Sequence, residues 1–160
     1  MSTEGPVLVV GAGLLGSSIA LALRRRGVDV ALRDVNPENL RIASGLGAAN
    51  VEDGAVDPRL VVVAVPPDLL GEQVAAALRD TDAVVTDVGS VKSAPLGVVR
   101  ALTPKHVGRY VGSHPMAGSE RSGPFAASCG VTAQGRPSNS DAEAANGPDR
   151  SLPAIGWLPT

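Results

Sequence analysis

Aromatic residues are scarce in this chain: one Phe, one Tyr and one Trp in 160 residues, so Val, Leu and Ala must supply the core. Apolar content of that kind suits a parallel sheet covered by helices, whose inner strands are near-continuous aliphatic runs. Cysteine is scarcer still. Cys129 stands alone, which excludes an intrachain disulfide and makes a reducing compartment, the cytoplasm, the simplest reading. Neither sign of charge is in excess. A formal net charge of −2 with no basic block gives no reason to expect nucleic acid or a membrane surface as partner. One uncharged run, Val7 to Leu23, could mimic a targeting or membrane segment. A signal peptide needs basic residues ahead of its apolar run, and only Glu4 precedes this one. A membrane span would seldom hold three glycines and two serines without partner helices to pack against. The length fits one domain with a proper core.

What is present begins in that same run. Val7-Leu8-Val9-Val10 reads as a buried strand that passes straight into a helix through Gly11-Ala12-Gly13-Leu14-Leu15-Gly16. In a G-x-G-x-x-G turn the first glycine makes the turn and the second lets backbone approach a pyrophosphate. The third lets the helix pack on its strand. Free N–H groups and the positive end of the helix dipole then face the phosphates, with Leu14 and Leu15 in the first turn. The spacing predicts a helix over 14–26 with Leu15, Ile19, Ala22 and Leu23 on its core face, three arginines in its last turn and Gly27 as the stop. The second strand, 28–33, ends at Asp34, 34 − 16 = 18 positions after the third glycine. That is close to the ~20 expected of an acid that accepts hydrogen bonds from the adenosine ribose. Such a carboxylate repels a 2′-phosphate and favours NAD over NADP, whereas neighbouring Arg33 could accommodate that phosphate. Without the glycines, Asp34 would read as an ordinary turn or cap residue.

Further along, Asn36-Pro37-Glu38 opens a short helix that ends near Gly45 or Gly47. Leu60 to Val65 is the clearest buried strand. Pro66-Pro67 closes it and opens a helix over 68–79 with Leu69, Leu70, Val74 and Leu78 for packing. Ala83 to Thr86 is a strand running into Asp87-Val88-Gly89-Ser90-Val91-Lys92, a helix follows to Leu102, and Tyr110-Val111 lies in a last short strand before Ser113-His114-Pro115. Alternating strands and helices with short connections define an α/β doubly wound parallel sheet. Ligands bind such sheets at the carboxyl ends of the strands, where Gly11, Asp34, Pro66, Ser90 and His114 all fall. From about Ser128 the character changes. Residues 129–160 scatter Gly, Pro, Ser, Asn and Asp with no period and no apolar run, and read as a disordered tail on a dinucleotide-binding domain of residues 1–128.

Gly112-Ser113-His114-Pro115-Met116-Ala117-Gly118-Ser119-Glu120, together with the Asp87–Lys92 run, resembles the prephenate/arogenate dehydrogenase family of tyrosine biosynthesis, over about Val7 to Ala127. The glycine turn alone would fit dozens of dehydrogenase families, so the histidine run is the specific part. The resemblance implies oxidative decarboxylation: hydride leaves a hydroxyl-bearing ring carbon of prephenate or arogenate for NAD, CO₂ is lost and a phenol forms. It makes His114 the acceptor of the hydroxyl proton, a role suited to an imidazole that titrates near ~6.5 when unperturbed. It makes Ser90 a hydrogen-bonding partner of the same hydroxyl that helps aim the imidazole, and Glu120 a shaper of the substrate pocket. It also implies a helical domain for dimerisation and substrate binding, which these residues do not show, so the chain reads as a truncated or frame-shifted dehydrogenase. Plainer readings stand beside these. Ser90 could cap the following helix, Lys92 is a solvated first-turn side chain, and His106 is a surface residue. A non-catalytic NAD-binding module is the alternative function. A 3-hydroxy acid or 6-phosphogluconate type dehydrogenase would need different substrate loops from the histidine run.

Overall fold

The computed structural model describes residues 5–51, 53–54, 56–115 and 133–135. The strands and helices alternate in the expected order: β1 Val7–Val10, α1 Leu14–Arg25, β2 Val30–Arg33, α2 Pro37–Gly45, β3 Leu60–Val63, α3 Pro67–Asp80, β4 Val84–Asp87, α4 Ser93–Leu102, β5 Tyr110–Pro115 and β6 Ala133–Gly135. Bounds differ from the sequence reading by one or two residues at most element ends, where hydrogen bonding tapers off. Five strands pair in parallel and β6 adds on antiparallel, in the order β2-β1-β3-β4-β5-β6.

Strand alternation sorts the aliphatic residues onto two faces. Val7 and Val9 of β1 join Ile19, Ala20 and Leu23 of α1 and Ala43 of α2 in one cluster. Leu8 and Val10 join Leu70, Val74 and Leu78 of α3 and Val99 of α4 in the other. The sheet is therefore doubly wound. Burying each such Val or Leu contributes roughly 1.5–3 kcal/mol, several times what an exposed ion pair adds, so these two clusters hold the fold. Two packing expectations are corrected. Ala20 rather than Ala22 is fully buried on α1, and Leu69 of α3 stays exposed because the stripe Leu70, Val74, Leu78 already faces the sheet. Helix α1 ends as expected, with Gly27 at φ +78° and its N–H bonded to Arg24 O. Asn36 caps α2, accepting from the Glu38 N–H at 3.0 Å.

Two features set the positions of later elements. Asn50 and Val51 both donate their N–H groups to Val30 O, so the chain follows the outer edge of β2 before Val56 crosses over the second face. Arg109 donates to Leu78 O, Thr81 O and Ala83 O at 2.6–2.8 Å. Its guanidinium thus covers carbonyls at the end of α3 and ties the entry of β5 to that of β4. Strand β5 runs further than expected, through His114 to Pro115, because Ser113–Pro115 pair with Ala133–Gly135. That partner lies in the stretch expected to carry no strand. An edge ladder is made of backbone groups, which pair without any apolar periodicity in the side chains. Among the described residues no helix is long and apolar enough to cross a membrane.

Candidate functional site

The parallel strands end in one rung. Arg33 pairs with Val10, Val10 with Val63, Val63 with Asp87 and Asp87 with Gly112. Residues just past this row form the carboxyl edge, and the expected site residues stand there: Gly11 after β1, Asp34 after β2, Pro66 after β3, Ser90 after β4 and His114 at the projecting end of β5.

The glycine turn can be tested position by position. Gly11 has φ +100°, and a Cβ there would stand 2.3 Å from Ala64 O, so the turn and the end of β3 interlock at the point where the strand order reverses. A Cβ on Gly16 would stand 1.8 Å from Gly11 O. At Gly13 a Cβ would meet nothing within 4 Å. The first and third glycines are therefore required by the protein's own packing, while the second leaves open space beside the helix start. Gly13 is the N-cap of α1 and offers no side-chain acceptor to the first-turn N–H groups of Leu14, Leu15 and Gly16. Those groups have no acceptor within the helix and, with the dipole, suit a phosphate. Buried Ser17 braces the turn by donating to Ala12 O at 3.0 Å.

Asp34 reaches this turn. Its Oδ2 accepts from the Ala12 N–H at 2.6 Å and its Oδ1 from the Asn36 N–H at 2.7 Å. Each carboxylate oxygen keeps a second lone pair for a hydroxyl donor. Arg33, the residue that could have served a 2′-phosphate, is engaged elsewhere: Nε and Nη2 donate to Asp53 Oδ2 and Oδ1, both at 2.7 Å. The guanidinium hydrogen bond holds the Asp53 carboxyl below its usual range. The donor set thus fits a dinucleotide whose ribose carries free hydroxyls.

At the other end of the edge lies a group of side chains that sequence reasoning missed. Asp87, fully buried, receives three donors: the Gly89 N–H at 2.9 Å and the Lys92 ammonium on Oδ2, and the Tyr110 hydroxyl at 2.8 Å on Oδ1. Burial, then the adjacent carboxylate, push the Tyr110 phenol far above its ordinary value, so it remains a donor. Lys92 is therefore not the solvated side chain expected; its ammonium turns back to the strand end five residues earlier. Ser113 donates to Asp87 O at 2.6 Å and lies 3.1 Å from the Thr86 hydroxyl, which fixes β5 against β4 just before His114. A Cβ on Gly112 would stand 3.1 Å from Lys92 Cδ, so the glycine leaves room for the lysine stem.

Ser90 and His114 are both exposed at this edge, and no hydrogen bond joins them among the described residues. Ser90 does not cap α4, which starts at Ser93 with Lys92 as N-cap. Pro66 is exposed at the N-cap of α3. His106 is exposed beside Arg109, in keeping with a surface role. Glu120, Cys129 and Trp157 lie outside the described residues. Among the described residues no group of three or more His, Cys, Asp or Glu could hold a metal.

A doubly wound sheet with this glycine turn and an acid after β2 defines a Rossmann-type nucleotide-binding domain. The comparisons with known proteins sharpen the class. The family model described as "Prephenate dehydrogenase, nucleotide-binding domain" matches residues 19–133, and the chain belongs to that family. It is 37% identical over 159 residues to "Probable prephenate dehydrogenase NovF" of Streptomyces niveus, covering 95% of this chain and 43% of that protein. Against the prephenate dehydrogenase of Lactococcus lactis subsp. cremoris the identity is 32% over 129 residues, 76% of this chain and 36% of the relative. The crystal structure of prephenate dehydrogenase from A. aeolicus in complex with hydroxyphenyl propionate and NAD+ superposes with a TM-score of 0.72 at 30% identity, over 87% of this chain and 52% of that one. The chain thus spans roughly two fifths of the length of these two curated relatives.

Proposed function

We propose that this chain binds NAD at the glycine turn and supplies the cofactor half of a prephenate or arogenate dehydrogenase. The observation that carries the reading is the single carboxyl edge on which the open Gly13 cradle, Asp34 and His114 stand together. Bound NAD would supply the hydride acceptor. The first-turn N–H groups of Leu14, Leu15 and Gly16 hold the pyrophosphate, and Asp34 accepts from the ribose hydroxyls. Pro66 flanks the cofactor from the start of α3. With Arg33 tied to Asp53, NAD is preferred over NADP. His114 accepts the substrate hydroxyl proton, Ser90 hydrogen-bonds the same hydroxyl, and Glu120 shapes the pocket. The nucleotide-binding unit runs through Gly135 rather than stopping at Ser128, a reading supported by β6 and by the family match to residue 133. A reducing cytoplasmic location and homodimerisation through the further length of the relatives belong to the same proposal.

Titrating the purified chain with NAD and NADP, then following NADH formation with prephenate and arogenate, tests this reading. Tighter binding of NAD, slow turnover and its loss in His114→Asn with unchanged NAD affinity are the expected results. The two carboxylates of the substrate need charge-assisted partners worth about 1.5–3 kcal/mol each, and among the described residues Arg33 and Lys92 at this edge are already engaged by Asp53 and Asp87. NAD binding with no turnover of either substrate would favour a non-catalytic nucleotide-binding module. Absence of any dinucleotide binding would overturn the proposal.

A further inference from the structure

Five residues, 88–92, separate the end of β4 from the start of α4, and the last of them is tied back to the strand end. Asp87 closes the strand, Lys92 opens the helix, and the lysine ammonium bonds the fully buried Asp87 carboxylate. Between them the Gly89 N–H bonds the same carboxylate oxygen as Lys92. The other oxygen is held by the Tyr110 hydroxyl at 2.8 Å, from the first residue of β5. Gly89 is also pinned from outside, since a Cβ there would stand 2.5 Å from Leu70 Cδ2. Only the outer part of the loop, Ser90 and Val91, is exposed.

We infer that Asp87, Lys92 and Tyr110 are positioning residues that clamp the Gly89–Val91 loop and thereby set where Ser90 stands on the carboxyl edge. A buried carboxylate that receives a cation and two neutral donors is costly to leave half-satisfied, so the loop has one favourable arrangement. The same ion pair ties the Lys92 charge inward and withholds it from the substrate side. Tyr110 adds a link to the histidine strand: one carboxylate fixes the Ser90 loop and the start of the strand that ends in His114. The catalytic consequence rests on the proposed role of Ser90; the clamp itself does not.

Amide hydrogen exchange on the full chain, without cofactor, tests the clamp independently of any activity. In Lys92→Met and in Tyr110→Phe the amide of Gly89, which the carboxylate holds, should exchange about tenfold faster, while the bonded amides of Gly11 and Ala12 keep their rates. Lys92→Arg, which retains a cation, should restore most of the protection. Tyr110→Phe removes one neutral donor and keeps the ring, so it folds even where Lys92→Met, which leaves the buried carboxylate without its cation, does not. Unchanged exchange in the loop overturns the inference, and so does acceleration spread equally over the whole sheet. Where turnover is measurable, Lys92→Met should lower kcat and leave NAD affinity unchanged. Loss of NAD binding in the unaltered chain would refute the functional proposal and leave the exchange result standing by itself.

Discussion

The two ends of the carboxyl edge are built by opposite means. At the β1–α1 turn the structure is made of backbone, and what matters is the absence of side chains: Gly11 and Gly16 cannot carry a Cβ, and Gly13 leaves its side open. At the β4–α4 turn the structure is made of side chains, with a buried carboxylate collecting donors from residues 89, 92 and 110. A steric site of the first kind is rigid without a ligand. An electrostatic one is rigid only while every partner is present.

The largest effect that would sharpen this contrast is expected at the glycines. Gly16→Ala places a methyl group 1.8 Å from a backbone oxygen and should cost more than about 4 kcal/mol or prevent folding. Gly13→Ala should leave the urea midpoint nearly unchanged and weaken NAD binding; equal stability losses at both positions would break the argument. Next comes Asp87→Ala, which strands the Tyr110 hydroxyl, the Gly89 N–H and the Lys92 ammonium. Breaking a buried pair costs about 3–5 kcal/mol, and the partial exposure of Lys92 puts this one near the lower figure in urea unfolding. A smaller loss, about 1–2 kcal/mol, is expected for Arg109→Met, because water can reach some of the carbonyls it leaves behind.

The smallest effect is the exposed Arg33–Asp53 pair, worth no more than about 0.5 kcal/mol. Its sign follows from the depressed Asp53 carboxyl. The contribution is present above the unfolded-state value of ~3.9 and is lost as pH falls through the lower folded-state value. Stability curves of the unaltered chain and Asp53→Asn, taken from pH 7 to pH 3, should therefore converge at the acid end.

The same contrast explains what the sequence disclosed. The glycine turn was legible because its requirements are local and its spacing is fixed by backbone geometry. Asp34 was legible by distance from that turn. The sheet followed from four short aliphatic runs, each closed by Gly, Pro or Asp. The Asp87 group was not legible, although all its members could be read. Lys92 looked like an ordinary first-turn lysine, and Tyr110 was the sole tyrosine with no pattern about it. Their meaning depends on a loop folding back on itself and on the registration of β5 beside β4, neither of which leaves a periodic trace. The extent of β5 was hidden for a related reason, since its last residues pair with a segment that has no aliphatic signature.

That last pairing bears on the order in which the molecule can be assembled. Each parallel strand up to β5 meets its neighbour after a single crossover, whereas His114 waits for Gln134, 134 − 114 = 20 residues further along and from the opposite direction. Until then the histidine end of β5 is an open edge, with unpaired backbone groups able to recruit another chain. His114, the proposed proton acceptor, is thus among the last residues on the sheet to gain a backbone partner. Changes in the downstream strand could retune its exposure, and the solubility of the folding chain, while the nucleotide cradle at the far end of the sheet stays as it is.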